Sequence, residues 1–142
     1  MTSESGCKPK FDPRVCSVDE MKALVKKTLT NCVKGSKDCY LWGGSLRNGY
    51  PQMKLGCHFK GRFSTKQPYS MHQVIFQIDK RCVLNLAGHE ISHLCHNKTC
   101  LNPKHLSYEP RHVNMTRDKC KNATCEEGKH VFNMKYYPPC IV

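Results

Sequence analysis

Two cysteine–histidine runs of identical spacing constrain this chain more than any apolar pattern in it. Cys95 to His105 (CHNKTCLNPKH) and Cys120 to His130 (CKNATCEEGKH) both read C-x-N-x-T-C-x-x-x-K-H. Thiolates and imidazoles suit tetrahedral Zn2+. Each run supplies three ligands, so each is expected to form a Cys3His site by taking one more from elsewhere. The first run lies between His93 and Asn114. A lone histidine facing an amide oxygen suits a hard, oxygen-binding cation rather than zinc. Two kinds of metal chemistry are therefore expected within one short span.

Composition agrees with a metal-stapled fold. The chain has 142 residues, of which 39% are hydrophobic, and its mean hydropathy is −0.60. That length suits one compact domain with a thin core, and small thin-cored domains need staples. Disulfides are the alternative staple. The 11 cysteines are an odd number, however, and the opening MTSESGCKPKFDPR lacks an apolar signal-peptide segment. The expectation is a reducing, intracellular setting, nuclear or cytoplasmic, with zinc holding the thiols. The sequons at Asn97, Asn114 and Asn122 are then chance matches. No apolar run approaches the ~18 residues of a membrane span. Lys and Arg number 23 against 11 Asp and Glu, a formal charge of +12, which favours a polyanionic partner.

Along the chain, residues 1–16 read as a polar arm and 17–142 as the domain. Ser17 and Glu20 have capping-box spacing before apolar residues at helical period, predicting a helix over 17–33 closed by Gly35. Residues 39–63 read as β-structure, with Asn48-Gly49 as a hairpin turn and His58 to Phe63 as a strand. A helix is predicted over 69–80. Short strands are predicted at 83–86, 90–93 and 106–108, and a helix carrying Asn114 follows Pro110.

At these residues the chain resembles the His-Cys box homing endonucleases, a branch of the ββα-metal (HNH, or His-Me finger) nucleases. The likeness spans Cys39 to Cys120 and is most specific over SHLCHN, the second cysteine, NPKH and Asn114. It implies an α+β, zinc-stabilised ββα-metal fold with an N-terminal helix, a small antiparallel sheet and a core motif over 93–119. It further implies a Mg2+-dependent endonuclease cutting double-stranded DNA to 5′-phosphate and 3′-hydroxyl ends. His93 would be the general base, Asn114 the Mg2+ ligand and Arg62 the transition-state cation, with Lys60 and Lys66 as rivals to Arg62. Cys39, Cys95, Cys100 and His105 would hold the first zinc. The second run departs from the family's C-x-H-x3-C ending. Its site is therefore assigned Cys120, Cys125 and His130 with Cys140, against Cys57 and Cys82 as rivals. The family's long C-terminal dimerisation tail has no counterpart, so homodimerisation stays open.

Plainer roles stand beside these. His93 alone would be a surplus zinc ligand, Asn114 an ordinary helix residue and Arg62 a phosphate contact. His72, His89 and His112 read as structural or solvent-facing. Cys7, Cys16, Cys32, Cys57 and Cys82 are left as buried thiols or part of a third zinc site. Arg47, Lys54, Lys60, Arg62 and Lys66 in the β-rich segment are the expected DNA contacts, since a two- or three-stranded ribbon fits the major groove. Two rival classes remain: a non-catalytic zinc-containing DNA-binding module of the same architecture, and a secreted disulfide-rich basic protein.

Overall fold

The computed structural model describes residues 10–121 and residue 141, without the side chains of Cys57, Thr116 and residues 118–121. The expectations for Cys7, the Cys57 thiol and the second ligand run (Cys120, Cys125, His130, Cys140) lie outside these.

The first helix, α1 (Val18–Thr30), begins as its sequence dictates. Ser17 Oγ accepts from the Glu20 N–H at 3.0 Å, and Glu20 Oε1 accepts from the Ser17 N–H at 2.8 Å, satisfying two donors of the first turn. The helix ends at Asn31, short of the expected Gly35. Cys32 and Val33, apolar residues in helical phase, belong instead to β1 (Cys32–Lys34). That strand pairs antiparallel with β2 (Tyr40–Trp42), Cys32 opposite Trp42. Tertiary pairing overrides the local period there.

A three-stranded sheet follows in the order β3 (Leu46–Arg47), β4 (Tyr50–Met53), β5 (Tyr69–Ser70). Asn48 and Gly49 turn the hairpin at φ of 53° and 85°, the two positive values a type I′ turn requires. The strand expected over 58–63 is absent. Gly56–His58 form a 3-10 turn, and Lys60 and Gly61 take positive φ. The cause is aromatic burial: Phe59 and Phe63 fold onto Phe11, with ring centroids 5.8 and 5.2 Å away, at the centre of the larger core cluster. Gly56 permits this wrap, because a Cβ there would stand 2.7 Å from the Thr65 backbone.

Next come α2 (Met71–Lys80), β6 (His89–His93), β7 (Leu106–Pro110) and α3 (Arg111–Lys121). No strand forms over 83–86, where the Leu84 N–H is capped by Gln77 Oε1 at 3.0 Å. Strands β6 and β7 pair antiparallel from His89 opposite Pro110 to His93 opposite Leu106. With α3 they form a ββα unit, and the molecule is α+β as expected.

Little apolar surface holds this unit. Among the described residues its core cluster has four buried members, Phe76, Leu84, Ile91 and Leu106, none of them on α3. Among the described side chains of α3, the buried one is Arg117, 1% exposed. Arg117 Nε and Nη2 donate to Glu109 Oε2 and Oε1 at 2.6 and 3.0 Å, and Ser92 Oγ donates to the same carboxylate. The two-pronged pair satisfies both buried charges and joins α3 to both strands. Removing one partner leaves an uncompensated charge. Arg117→Met is therefore expected to cost about 3–5 kcal/mol in urea unfolding. The double variant Arg117→Met/Glu109→Leu should recover most of that loss; no recovery would show that the pair does not carry this helix.

Candidate metal centre and cleft

Cys39, Cys95, Cys100 and His105 present ligand atoms all within 4.8 Å of one another. Backbone pairing brings them together. The Trp42 N–H donates to the Thr99 carbonyl at 3.0 Å and the Leu101 N–H to the Tyr40 carbonyl at 2.8 Å, fixing β2 against the cysteine run. Asn102 Nδ2 reaches the Asp38 carbonyl at 2.9 Å, beside Cys39. Within the run, Asn97 Oδ1 accepts from the Thr99 N–H and Oγ1 at 3.1 and 2.9 Å. Asn102 Oδ1 accepts from the Lys104 N–H at 3.0 Å. Asn97 and Thr99 of the repeated motif, together with Asn102 of this run, thus shape the turns between ligands.

The donor set fits zinc. His105 Nδ1 lies 3.6 Å from Cys39 Sγ and 3.5 Å from Cys100 Sγ. A tetrahedron with Zn–S of about 2.3 Å and Zn–N of about 2.0 Å has S–N edges of about 3.5 Å. A hydrogen bond with Cys95 pulls the Cys100 thiol down to about 5 and pushes Cys95 up, while burial raises Cys39. One thiolate is stable among two thiols, and a divalent ion would allow all three to ionise together.

His93 ends β6 two residues before the first of the run's cysteines and is 8% exposed. The Cys100 backbone favours the protonated ring, while Nε2 is buried with no partner among the described residues. Burial lowers its pKa to about 4, aided by Lys98 and His105 and opposed by the Cys100 hydrogen bond. The imidazole is neutral at pH 7.

His93 packs against two further rings, His72 at 5.1 Å and Tyr50 at 5.9 Å between centroids. Tyr50 stacks on His72 at 5.0 Å, and Lys98 Nζ lies 5.1 Å from the Tyr50 centroid. Tyr50 and His72 in turn line a cleft of about 290 Å³, together with Ser70, Glu90, Arg111 and Asn114. Asn114, on the first turns of α3, donates from Nδ2 to Glu90 Oε1 at 2.6 Å. Arg111 Nε donates to Glu90 Oε2 at 3.2 Å. Asn114 shares this cleft with Tyr50 and His72, whereas His93 packs against those two rings and is not itself among the cleft's lining residues. A larger apolar groove of about 590 Å³ lies between α1 and α2 and contains none of these groups.

The other sequence-predicted residues lie apart. Arg62 Nη1 donates to Glu20 Oε1 at 2.8 Å, on the first turn of α1, and is not among the cleft residues. Arg47, Lys54, Lys60 and Lys66 are exposed on and around the three-stranded sheet. Cys16 and Cys32 are half-buried and make sulfur contacts to the Asp12 and Thr28 carbonyls. Sequence reasoning overlooked Glu90, Arg111, Tyr50 and the Ser92–Glu109–Arg117 cluster, whose partners are distant in sequence. It read His72 as structural or solvent-facing; the ring is buried, 6% exposed, and lines the cleft. Its spacing of three from the buried Ile75 was the available signal.

A family profile described as the zinc-binding loop region of homing endonuclease matches residues 31–142. No curated protein and no solved structure matches the chain. Among the described residues, no helix is long and apolar enough to cross a membrane.

Two outcomes are expected. Cys100→Ser should remove one zinc per chain, read by elemental analysis, and lower the unfolding temperature; unchanged zinc content would refute the site. His72, with Nδ1 buried and unpartnered, is lowered to about 3 chiefly by burial and secondarily by His93. In the unfolded chain it titrates near ~6.5. Below that value the unfolded state binds a proton that the folded state refuses, so stability falls as pH drops from about 6.5 toward 3. His72→Phe keeps a ring against Tyr50 and removes this titration. Its stability should fall less steeply over that window, by up to ~1.4 kcal/mol per pH unit in urea unfolding. Parallel curves would contradict the assignment.

Proposed function

This chain belongs to the homing endonuclease family defined by its zinc-binding loop, and from that premise we propose that it is a metal-dependent endonuclease acting on double-stranded DNA. The observation that carries the proposal is His93: a ring whose pKa burial lowers to about 4, and a buried Nε2 with no partner among the described residues. A buried unpartnered nitrogen costs stability, and a proton-accepting role explains its retention.

In this reading His93 Nε2 takes the proton of the attacking water, a contribution of about 10²–10⁴-fold. The Cys100 carbonyl holds the imidazole's orientation as it becomes cationic. Asn114 offers its amide oxygen to Mg2+, which when bound would neutralise charge on the phosphate and on the 3′-oxygen leaving group. The rings of Tyr50 and His72 limit water around His93. Arg111 is the guanidinium at the cleft, whereas Arg62 reaches a phosphate only by leaving Glu20. Arg47, Lys54, Lys60 and Lys66 supply phosphate contacts along the sheet. The repeated motif offers Cys120, Cys125 and His130 to a second structural zinc, with Cys140 assigned as fourth ligand against Cys57 and Cys82, and the remaining cysteines leave a third zinc open. The folded domain assigned to 17–142 takes in Phe11 as well, whose ring packs in the larger core cluster.

One observation favours the non-catalytic alternative, a zinc-containing DNA-binding module. The expected transition-state arginine is held by Glu20 on α1. Nicking of supercoiled plasmid separates the two. The endonuclease reading expects Mg2+-dependent nicking that short EDTA treatment stops while zinc stays bound, and a loss of about 10²-fold or more in His93→Ala. Plasmid binding without any product, or undiminished nicking by His93→Ala, would refute it.

A further inference from the structure

We propose that Glu90 is a positioning residue that turns the Asn114 amide so that oxygen, not nitrogen, faces the cleft, and so sets how tightly the cleft holds a divalent cation. The inference rests on the reading of Asn114 as the cation's ligand.

A carboxamide has two ends of similar shape and opposite polarity. Only the oxygen can bind a hard cation. An asparagine free to rotate would offer its NH2 end as readily, and a cation site built on one neutral amide cannot tolerate that. Glu90 removes the ambiguity. Its side chain projects from β6 beside Asn114, and Nδ2 lies 2.6 Å from Oε1, a short, charge-assisted bond. A carboxylate only accepts, so the NH2 end of Asn114 must be the end facing it. Arg111 fixes the plane of that carboxylate from the other side, with Nε 3.2 Å from Oε2. All three side chains line the same cleft.

The arrangement also argues against Glu90 as a ligand in its own right. Each of its oxygens already takes a donor, and the Arg111 guanidinium offsets its charge. The acceptor of the trio that neither of these bonds uses is the Asn114 oxygen. Groups that orient a metal's ligands in this way change affinity by about 10–100-fold when altered.

The test is Mn2+ titrated into the zinc-loaded full chain, with free Mn2+ read by electron paramagnetic resonance. Glu90 is 37% exposed, and retained zinc reports that each variant is folded. Glu90→Gln keeps the shape but can present its own NH2 to Asn114 and turn the oxygen away. It should weaken Mn2+ binding by about 10–100-fold. Asn114→Asp has oxygen at both ends, so adding Glu90→Gln in that background should cost nothing. Unchanged affinity in Glu90→Gln would overturn the inference and leave Asn114 as ligand. An equal loss in both backgrounds would make Glu90 a direct ligand and likewise overturn it. Wild-type binding no tighter than that of Asn114→Ala would remove the Asn114 reading itself, and this inference with it.

Discussion

The four-sided cluster of Cys39, Cys95, Cys100 and His105 is the constraint from which the rest of the architecture follows. It joins the end of the turn before β2 to the loop between β6 and β7, where Trp42 and Leu101 also share the larger core cluster. Structural zinc in such a set contributes on the order of 10–16 kcal/mol to folding, comparable with the whole net stability of an ordinary domain. Zinc held there would let the chain keep a thin core, a basic surface and a buried histidine with an unsatisfied nitrogen.

A second device acts where the cluster does not reach. Among its described side chains, helix α3 has no member in the core cluster of the ββα unit, and a buried contact is the two-pronged Arg117–Glu109 pair. Glu109 also receives Ser92, the neighbour of His93, while Arg117 lies one turn beyond Asn114. One carboxylate thus links the strand that ends in the proposed base to the helix that carries the proposed ligand. Buried ion pairs are poor sources of net stability compared with apolar packing. What this one supplies is a fixed distance between two elements.

Much of this was legible from ligand spacing. Cys95, Cys100 and His105 are readable as ligands from their spacing, and the family resemblance adds Cys39; the four ligand atoms do converge, while the same resemblance is what singles out His93 and Asn114 for their proposed roles. The capping box of α1 and the Asn48-Gly49 turn were equally local and equally readable. The shortfalls share a cause. Cys32 and Val33 continue a helical period, yet pairing with β2 takes them. Phe59 and Phe63 look like strand residues, yet the aromatic cluster draws them into a wrapped loop. Glu90 and Arg111 acquire meaning only when β6 and α3 meet, which no spacing announces. Arg62 showed the opposite difficulty: its sequence neighbourhood suggested the cleft, and a partner on α1 holds it elsewhere.

The central proposal is that one imidazole and one amide oxygen address a single phosphate. Anomalous diffraction from crystals of the zinc-loaded chain with a DNA duplex and Mn2+ tests it most directly. The account requires one Mn2+ peak about 2.1 Å from Asn114 Oδ1, bridging to a backbone phosphate, with a water on His93 Nε2 on the phosphate's far side. A peak seated elsewhere, or a His93 ring facing protein with the phosphate out of its reach, would contradict it.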